Sequence, residues 1–288
     1  MILYFGDPAG ALELAARELP LVGVVLGRAD APREEELPRR LPDVPRRVRP
    51  RLDDPDVVAE LAALRPSLIV SAFFPRRIPE SILALAPGIN VHPGPLPALR
   101  GPDPIYWAVR RGLPETELVV HALDAELDAG DVLAREATPV APDETGGGLA
   151  ARLEARGAAL AAEVAARWLA GDAPAGTPQQ GEVGWAPRLR RAELEVDWTR
   201  STAGIDRFVR AASPFPGARA SSLVAAPALE LVRGRPLPGH TLGVPPGTLV
   251  FRDGRALVAC GDGAYALEMV RRGAQMLLPA RLRRLAEG

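Results

Sequence analysis

Two side chains able to do chemistry stand two residues apart in the run Gly88-Ile89-Asn90-Val91-His92, and prolines follow at positions 93, 95 and 97. In an extended segment, residues i and i+2 share a face. Asn90 and His92 therefore leave the chain side by side, while Ile89 and Val91 point the other way into apolar packing. Pro93, Pro95 and Pro97 forbid both a helix and a ladder partner, so the chain turns there. A carboxamide can donate to a developing negative charge, and an imidazole can hold or move a proton near neutral pH. A polar pair fixed at a strand end before a stiff loop is how α/β enzymes present chemistry. At this point the alternative is a capping Asn beside a surface His.

The neighbouring motifs bear on that choice. Asn90-Val91-His92-Pro93, Leu96-Pro97 with Arg100-Gly101, and Leu127-Asp128-Ala129-Gly130-Asp131 occur in this order. In order, spacing and flanking Pro and Gly they resemble the 10-formyltetrahydrofolate-dependent formyltransferases, a methionyl-tRNA formyltransferase-like family. The resemblance implies a catalytic trio of Asn90, His92 and Asp128. It also implies that the loop 74–79 holds the pterin ring of the donor through main-chain groups of Arg76, Arg77 and Ile78. His121, alone on a strand, reads first as a packed, hydrogen-bonded core residue, although purine-pathway members of the family place a His near the folate at the matching position. Asp124 reads as loop-structuring, with a folate contact left open by its place at the start of an acidic loop. Glu126 and Asp131 read as solvated or loop-structuring.

The implied reaction passes through a tetrahedral intermediate. The Asn90 amide and a protonated His92 are expected to donate to its oxyanion. Asp128 would favour the imidazolium by its charge, and its carboxylate, or a water it positions, would take the amine's proton. No metal is expected, because His92, His121 and His240 have no ligand spacing and the single cysteine, Cys260, excludes a cysteine zinc site.

The elements that must position these residues follow from apolar patterning. Strands are expected at 1–6, 21–26, 67–73, 88–92, 117–123 and 131–140. Helices are expected at 11–19, 56–64, 81–86, 103–111, 146–169 and 203–212. Near-continuous apolar strands alternating with helices imply a mostly parallel, Rossmann-like α/β sheet. No G-x-G-x-x-G run indicates a dinucleotide. Residues 28–54, with prolines at 38, 42, 45 and 50 among arginines 39, 40, 46, 47, 49 and 51, read as an exposed irregular arm. From Ala228 onwards, short apolar runs between Gly and Pro turns suggest a small β-barrel, and the resemblance implies an OB-like one. The expected layout is a catalytic domain at 1–175, a linker at 176–200 and a C-terminal OB-like domain at 201–288.

Composition bounds the partners. The chain has 288 residues, is 47% hydrophobic, and has a formal net charge of −1. No apolar run approaches the ~20 residues of a membrane span. The N-terminus lacks a basic leader region, and a cytoplasmic protein is expected. All 35 basic residues are arginine, so lysine-based covalent catalysis is excluded. The near-neutral total argues against a protein wrapped around nucleic acid. Two acceptors fit the resemblance, and of these a small-molecule amine is preferred to methionyl-tRNA. A small amine, such as an amino group on a nucleotide-linked sugar or a natural-product precursor, is favoured by three features: the near-neutral charge, Gly94 where a Ser is common, and the lack of the family's lysine-rich tRNA-binding loop. The α-amine of methionyl-tRNA is favoured by the two-domain layout and the segments at 185–189, 195–198 and 213–218. Hydrolysis of the donor and folate binding without catalysis are further alternatives. The sequence carries no signal of oligomeric state.

Overall fold

The computed structural model describes residues 1–223 and 229–287, and its contacts divide the chain into two units. The first comprises Met1–Pro104, Glu115–Pro139 and Ala151–Pro187. Its strands are β1 (Ile2–Gly6), β2 (Leu21–Leu26), β3 (Arg46–Val48), β4 (Leu68–Ala72), β5 (Gly88–His92), β6 (Glu115–Ala122) and β7 (Val132–Pro139). They form one sheet in the order β3-β2-β1-β4-β5-β6-β7. The first five run parallel; β6 is antiparallel to β5, and β7 to β6. This is the mostly parallel sheet expected. Leu3, Phe5, Val25, Ile69, Ile78 and Ile82 build one buried core cluster of this unit.

Helix α1 (Pro8–Ala16) begins three residues before the expected start. Asp7 caps it by accepting the Gly10 N–H at 3.0 Å, and Pro8 fits the first helical position, where an N–H is not needed. The arm at 28–54 is not irregular throughout. It holds the short helix α2 (Leu37–Arg40) and the edge strand β3, which pairs with β2 through residues 46–48. Pro45 and Pro50 lie outside that three-residue ladder, so neither removes a hydrogen bond from it. Helices α3 (Pro55–Ala63), α4 (Glu80–Leu83), α5 (Pro104–Arg111) and α6 (Gly146–Leu169) follow. Among the described residues, no helix is long and apolar enough to cross a membrane.

The second unit comprises Ile105–Pro114, Val140–Ala150 and Arg188–Gly288. Its helix α7 (Thr202–Ala212) is capped by Ser201, which accepts the Gly204 N–H at 3.2 Å. Strands β8 (Ala218–Ala220), β9 (Leu229–Pro238), β10 (Leu249–Arg252), β11 (Arg255–Cys260), β12 (Gly263–Arg272) and β13 (Gln275–Leu277) precede α8 (Pro279–Glu287). They form an antiparallel sheet in the order β10-β11-β12-β9-β8, with β13 on β12. Ala228, where the strand pattern was expected to begin, lies outside the described residues. The lone thiol, Cys260, is buried and donates to the Val258 carbonyl. Burial, with the charge of Asp262, pushes its pKa up to about 12.

Two outcomes follow from this packing. Ile69→Ala, which removes a fully buried side chain from the sheet centre, should destabilise the protein by about 2–5 kcal/mol in a urea titration. A thiol-specific alkylating reagent at mildly alkaline pH should modify Cys260 only after unfolding, because the thiolate is the nucleophile.

Candidate active site

The change from parallel to antiparallel pairing places the site. In the β5–β6 ladder, Asn90 stands opposite His121, Val91 opposite Val120 and His92 opposite Val119. Directly opposed residues share a face, so His121 is brought against Asn90. The His121 Nδ1–H donates to the Ala122 carbonyl at 2.8 Å, which leaves Nε2 as an acceptor. The Asn90 amide donates to that Nε2 at 3.1 Å. His121 is thus the buried, hydrogen-bonded strand residue expected, and its partner is a member of the trio.

Asp128 reaches the same cluster from the loop between β6 and β7. One carboxylate oxygen lies 3.5 Å from His92 Nδ1, and the other 3.5 Å from His121 Nε2. The Gly101 N–H donates to Asp128 Oδ2 at 2.9 Å. The Asp128 backbone is left-handed, with φ 54°, a conformation that Asp tolerates better than most residues. His92 directs its Nε2–H to the Leu99 carbonyl at 2.8 Å. His92 and Asp128 are only 3% and 7% exposed, whereas Asn90 is half-buried.

Burial is the strongest influence on His92 and holds its imidazole below the usual histidine range; the Asp128 charge opposes it without reversing it. For Asp128, burial pushes the carboxyl up. The His121 and His92 rings beside it and the Gly101 N–H together outweigh that, and the carboxyl sits below its ordinary value. The resting pair is a neutral imidazole beside an ionised carboxylate. This corrects the expected imidazolium. Removing the ring from water costs more than one carboxylate at 3.5 Å returns, and the ring's hydrogen is committed to Leu99.

The expected donor-loop residues lie after β4, the strand beside β5, at its carboxyl end. The Arg76 guanidinium donates to the Pro50 carbonyl at 2.6 Å and lies over the Phe74 ring. Arg77 donates to the Ala125 carbonyl at 2.9 Å, which ties loop 74–79 to the acidic loop. The Ile78 side chain belongs to the core. Asp124 is exposed and accepts the Glu126 N–H at 3.3 Å, the loop-structuring contact expected of it. Glu126 pairs with Arg100 at 2.9 Å. Leu99, Gly101 and Gln179 were not singled out for a role. Only the Arg100-Gly101 pair hinted at one; Gln179 lies in a stretch without periodicity, and Leu99 acts through its carbonyl.

Comparison of the chain with known proteins gives its family. Residues 25–165 match the formyl transferase family, and residues 188–282 match its C-terminal domain. The chain is 31% identical over 294 residues to methionyl-tRNA formyltransferase of Roseiflexus sp. (strain RS-1), covering 97% of this chain and 90% of that one. It is 37% identical over 221 residues to the enzyme of the same name from Pseudomonas paraeruginosa, covering 76% and 70%. The chain belongs to the formyl transferase family. Two solved structures share the fold. HypX from Aquifex aeolicus, in complex with tetrahydrofolic acid, superposes with a TM-score of 0.68 at 24% identity; the match covers 98% of this chain and 46% of HypX, less than half of that protein. An N-formyltransferase from Helicobacter canadensis superposes with a TM-score of 0.66 at 12% identity, covering 92% and 97%.

The site yields two expectations. A β-carbon on Gly94 would come within 2.6 Å of Pro104 Cβ and 3.2 Å of His92 Nε2. Gly94→Ser should therefore displace His92, lowering kcat by about tenfold or more in steady-state kinetics. If His92 accepts a proton in the reaction, the unprotonated imidazole is its working form. Since its pKa is lowered from 6.5, kcat/KM should hold level through neutral pH and fall only as pH drops through the lowered value. Stability should fall in the same direction below about 6.5, because there the unfolded chain binds a proton that the folded one refuses.

Proposed function

We propose that this enzyme transfers the formyl group of 10-formyltetrahydrofolate to a primary amine at the Asn90, His92 and Asp128 cluster. The observation that carries the reading is the union of a half-exposed amide donor with a neutral imidazole and an ionised carboxylate. The donor would supply a formyl group already activated on nitrogen, so no covalent enzyme intermediate is needed. The residues fit such a donor. The loop after β4 adjoins the end of β5 in the sheet, and its Arg76 and Arg77 side chains are tied elsewhere. Its main chain would provide the contacts, with Asp124 at the edge of the linked loop and His121 behind Asn90.

Attack by an amine places negative charge on the formyl oxygen. One hydrogen of the Asn90 amide is given to His121, and the second is directed at that charge. His92 Nδ1 takes the amine's proton; the new N–H then faces Asp128, and the Leu99 carbonyl holds the other ring hydrogen. The imidazolium, unfavourable at rest, is stabilised at the moment it forms, and it would return that proton to the donor nitrogen as the donor's N–C bond breaks, releasing tetrahydrofolate and the formylated amine. The roles differ from those expected in two respects: His92 rather than Asp128 accepts the proton, and Asn90 alone donates to the oxygen.

For the acceptor, charge distribution supports an amine carried on a polyanion, such as an aminoacyl-tRNA. Residues 188–288 hold 16 arginines against 9 carboxylates, and residues 1–187 hold 19 against 27. The near-neutral total is thus the sum of a basic C-terminal part, +7, and an acidic remainder, −8. A total near zero is no argument for a small acceptor when its parts are opposed. The printed names of the two sequence relatives agree with this reading. A small amine remains the second reading, and one observation favours it. The segment that would hold a tRNA-binding loop is a short helix and an edge strand, with Arg47 paired to Glu60 and Arg51 to Asp53.

Donor consumption followed by absorbance, with methionyl-tRNA, nucleotide-linked amino sugars and buffer alone, tests both levels. Asn90→Ala, His92→Ala and Asp128→Asn should each keep the fold and lower turnover by about 10²–10³-fold; near-wild-type rates would remove the proposed roles. With methionyl-tRNA, kcat/KM should fall steeply with salt. Turnover only with a small amine would overturn the polyanion reading, and turnover in buffer alone would indicate a hydrolase.

A further inference from the structure

The segment after α6, expected to be a plain linker from residue 176, is hydrogen-bonded along the first unit. Thr177 and Val132 exchange main-chain bonds of 2.8 and 2.9 Å. Further on, the Gly184 N–H donates to the Pro97 carbonyl at 3.0 Å, and the Ala186 N–H to the Arg100 carbonyl at 2.7 Å. Between these anchors lies Gln179. Its Oε1 accepts from Arg100 Nε at 3.1 Å and from Nη2 at 2.9 Å. Its Nε2 donates to the Asp128 carbonyl at 2.8 Å and to the Gly130 carbonyl at 2.9 Å. Guanidinium only donates and carbonyls only accept, so the partners themselves fix which way the amide faces.

All four hydrogen-bonding positions of the amide are therefore used, and their ends are telling. Two hold the carbonyls of Asp128 and Gly130, the residues on either side of Ala129, which keeps Asp128 in its left-handed conformation. The other two hold Arg100, whose neighbour Gly101 donates to the Asp128 carboxylate. One side chain thus fixes both partners of the Gly101 N–H to Asp128 Oδ2 bond. We propose that Gln179 is a positioning residue for formyl transfer, acting through Asp128. It sets the carboxylate against His92 and keeps it ionised by preserving the Gly101 bond. This rests on the proposed function above, in which the pair takes the amine's proton.

The test uses two variants of the full chain. Gln179→Ala removes both pairs of bonds. Gln179→Glu keeps an acceptor for Arg100 but turns an oxygen towards the carbonyls of Asp128 and Gly130. Both should lower kcat by about ten- to a hundredfold, the size expected for a reacting group displaced by about 1 Å, while KM for the donor stays within about twofold. Both should also raise the carboxyl pKa of Asp128 in a carbon-NMR titration. The titration requires no turnover. If wild type and His92→Ala turn over equally, the functional reading fails; if only the Asp128 titration stays put, the role of Gln179 fails. An unchanged kcat in Gln179→Glu, or a loss that follows melting temperature with an unmoved Asp128 titration, would overturn the proposal.

Discussion

An ionised carboxylate that is almost out of water governs this site. Burying such a charge costs several kcal/mol unless hydrogen bonds replace the lost water. Asp128 receives one peptide N–H, from Gly101, and the company of two imidazoles. Among the described residues, no guanidinium is paired with it. Arg100, the nearest arginine in the motif, is directed to Glu126 and Gln179. A fixed cation would have stabilised the carboxylate and weakened its hold on a proton.

The sheet supplies the geometry by changing direction once. Parallel strands β1 to β5 end on a common edge, where α/β proteins gather loops that bind ligands. A sixth parallel strand would have needed a crossover and brought different residues beside Asn90. The antiparallel β6 returns directly along β5, puts His121 opposite Asn90, and its outgoing loop delivers Asp128 to the same face. Asn90, His92, His121 and Asp128 thus come from two neighbouring strands and one turn.

Much of this was legible, and the exceptions share a cause. Strand β5 spans the expected residues 88–92 and helix α6 the expected 146–169, because apolar runs bounded by Pro or Gly leave little freedom. The trio was named from motif order. The start of α1 at Pro8 was missed although the Asp7-Pro8 cap was visible. Strand β3 was hidden by prolines that flank it without entering its ladder. The contact between His121 and Asn90 depends on a register between separate strands, which no local pattern encodes. The neutral state of His92 depends on burial by residues far along the chain. Gln179 lay in a Gly- and Pro-rich stretch whose composition suggested a tether. The opposed charges of the two parts of the chain were concealed by their sum.

The strap from Thr177 to Ala186 constrains how the chain can vary in length. Upstream, residues 171–176 are exposed apart from a half-buried Pro174, so insertions or deletions there would be absorbed as slack. Between Thr177 and Gly184 the main chain is pinned at both ends. Gaining or losing a single residue there would carry the Gln179 amide away from Asp128 and Arg100 together. Homologous chains should therefore show length variation on one side of Thr177 and a fixed count on the other, a boundary set by hydrogen bonding rather than by composition.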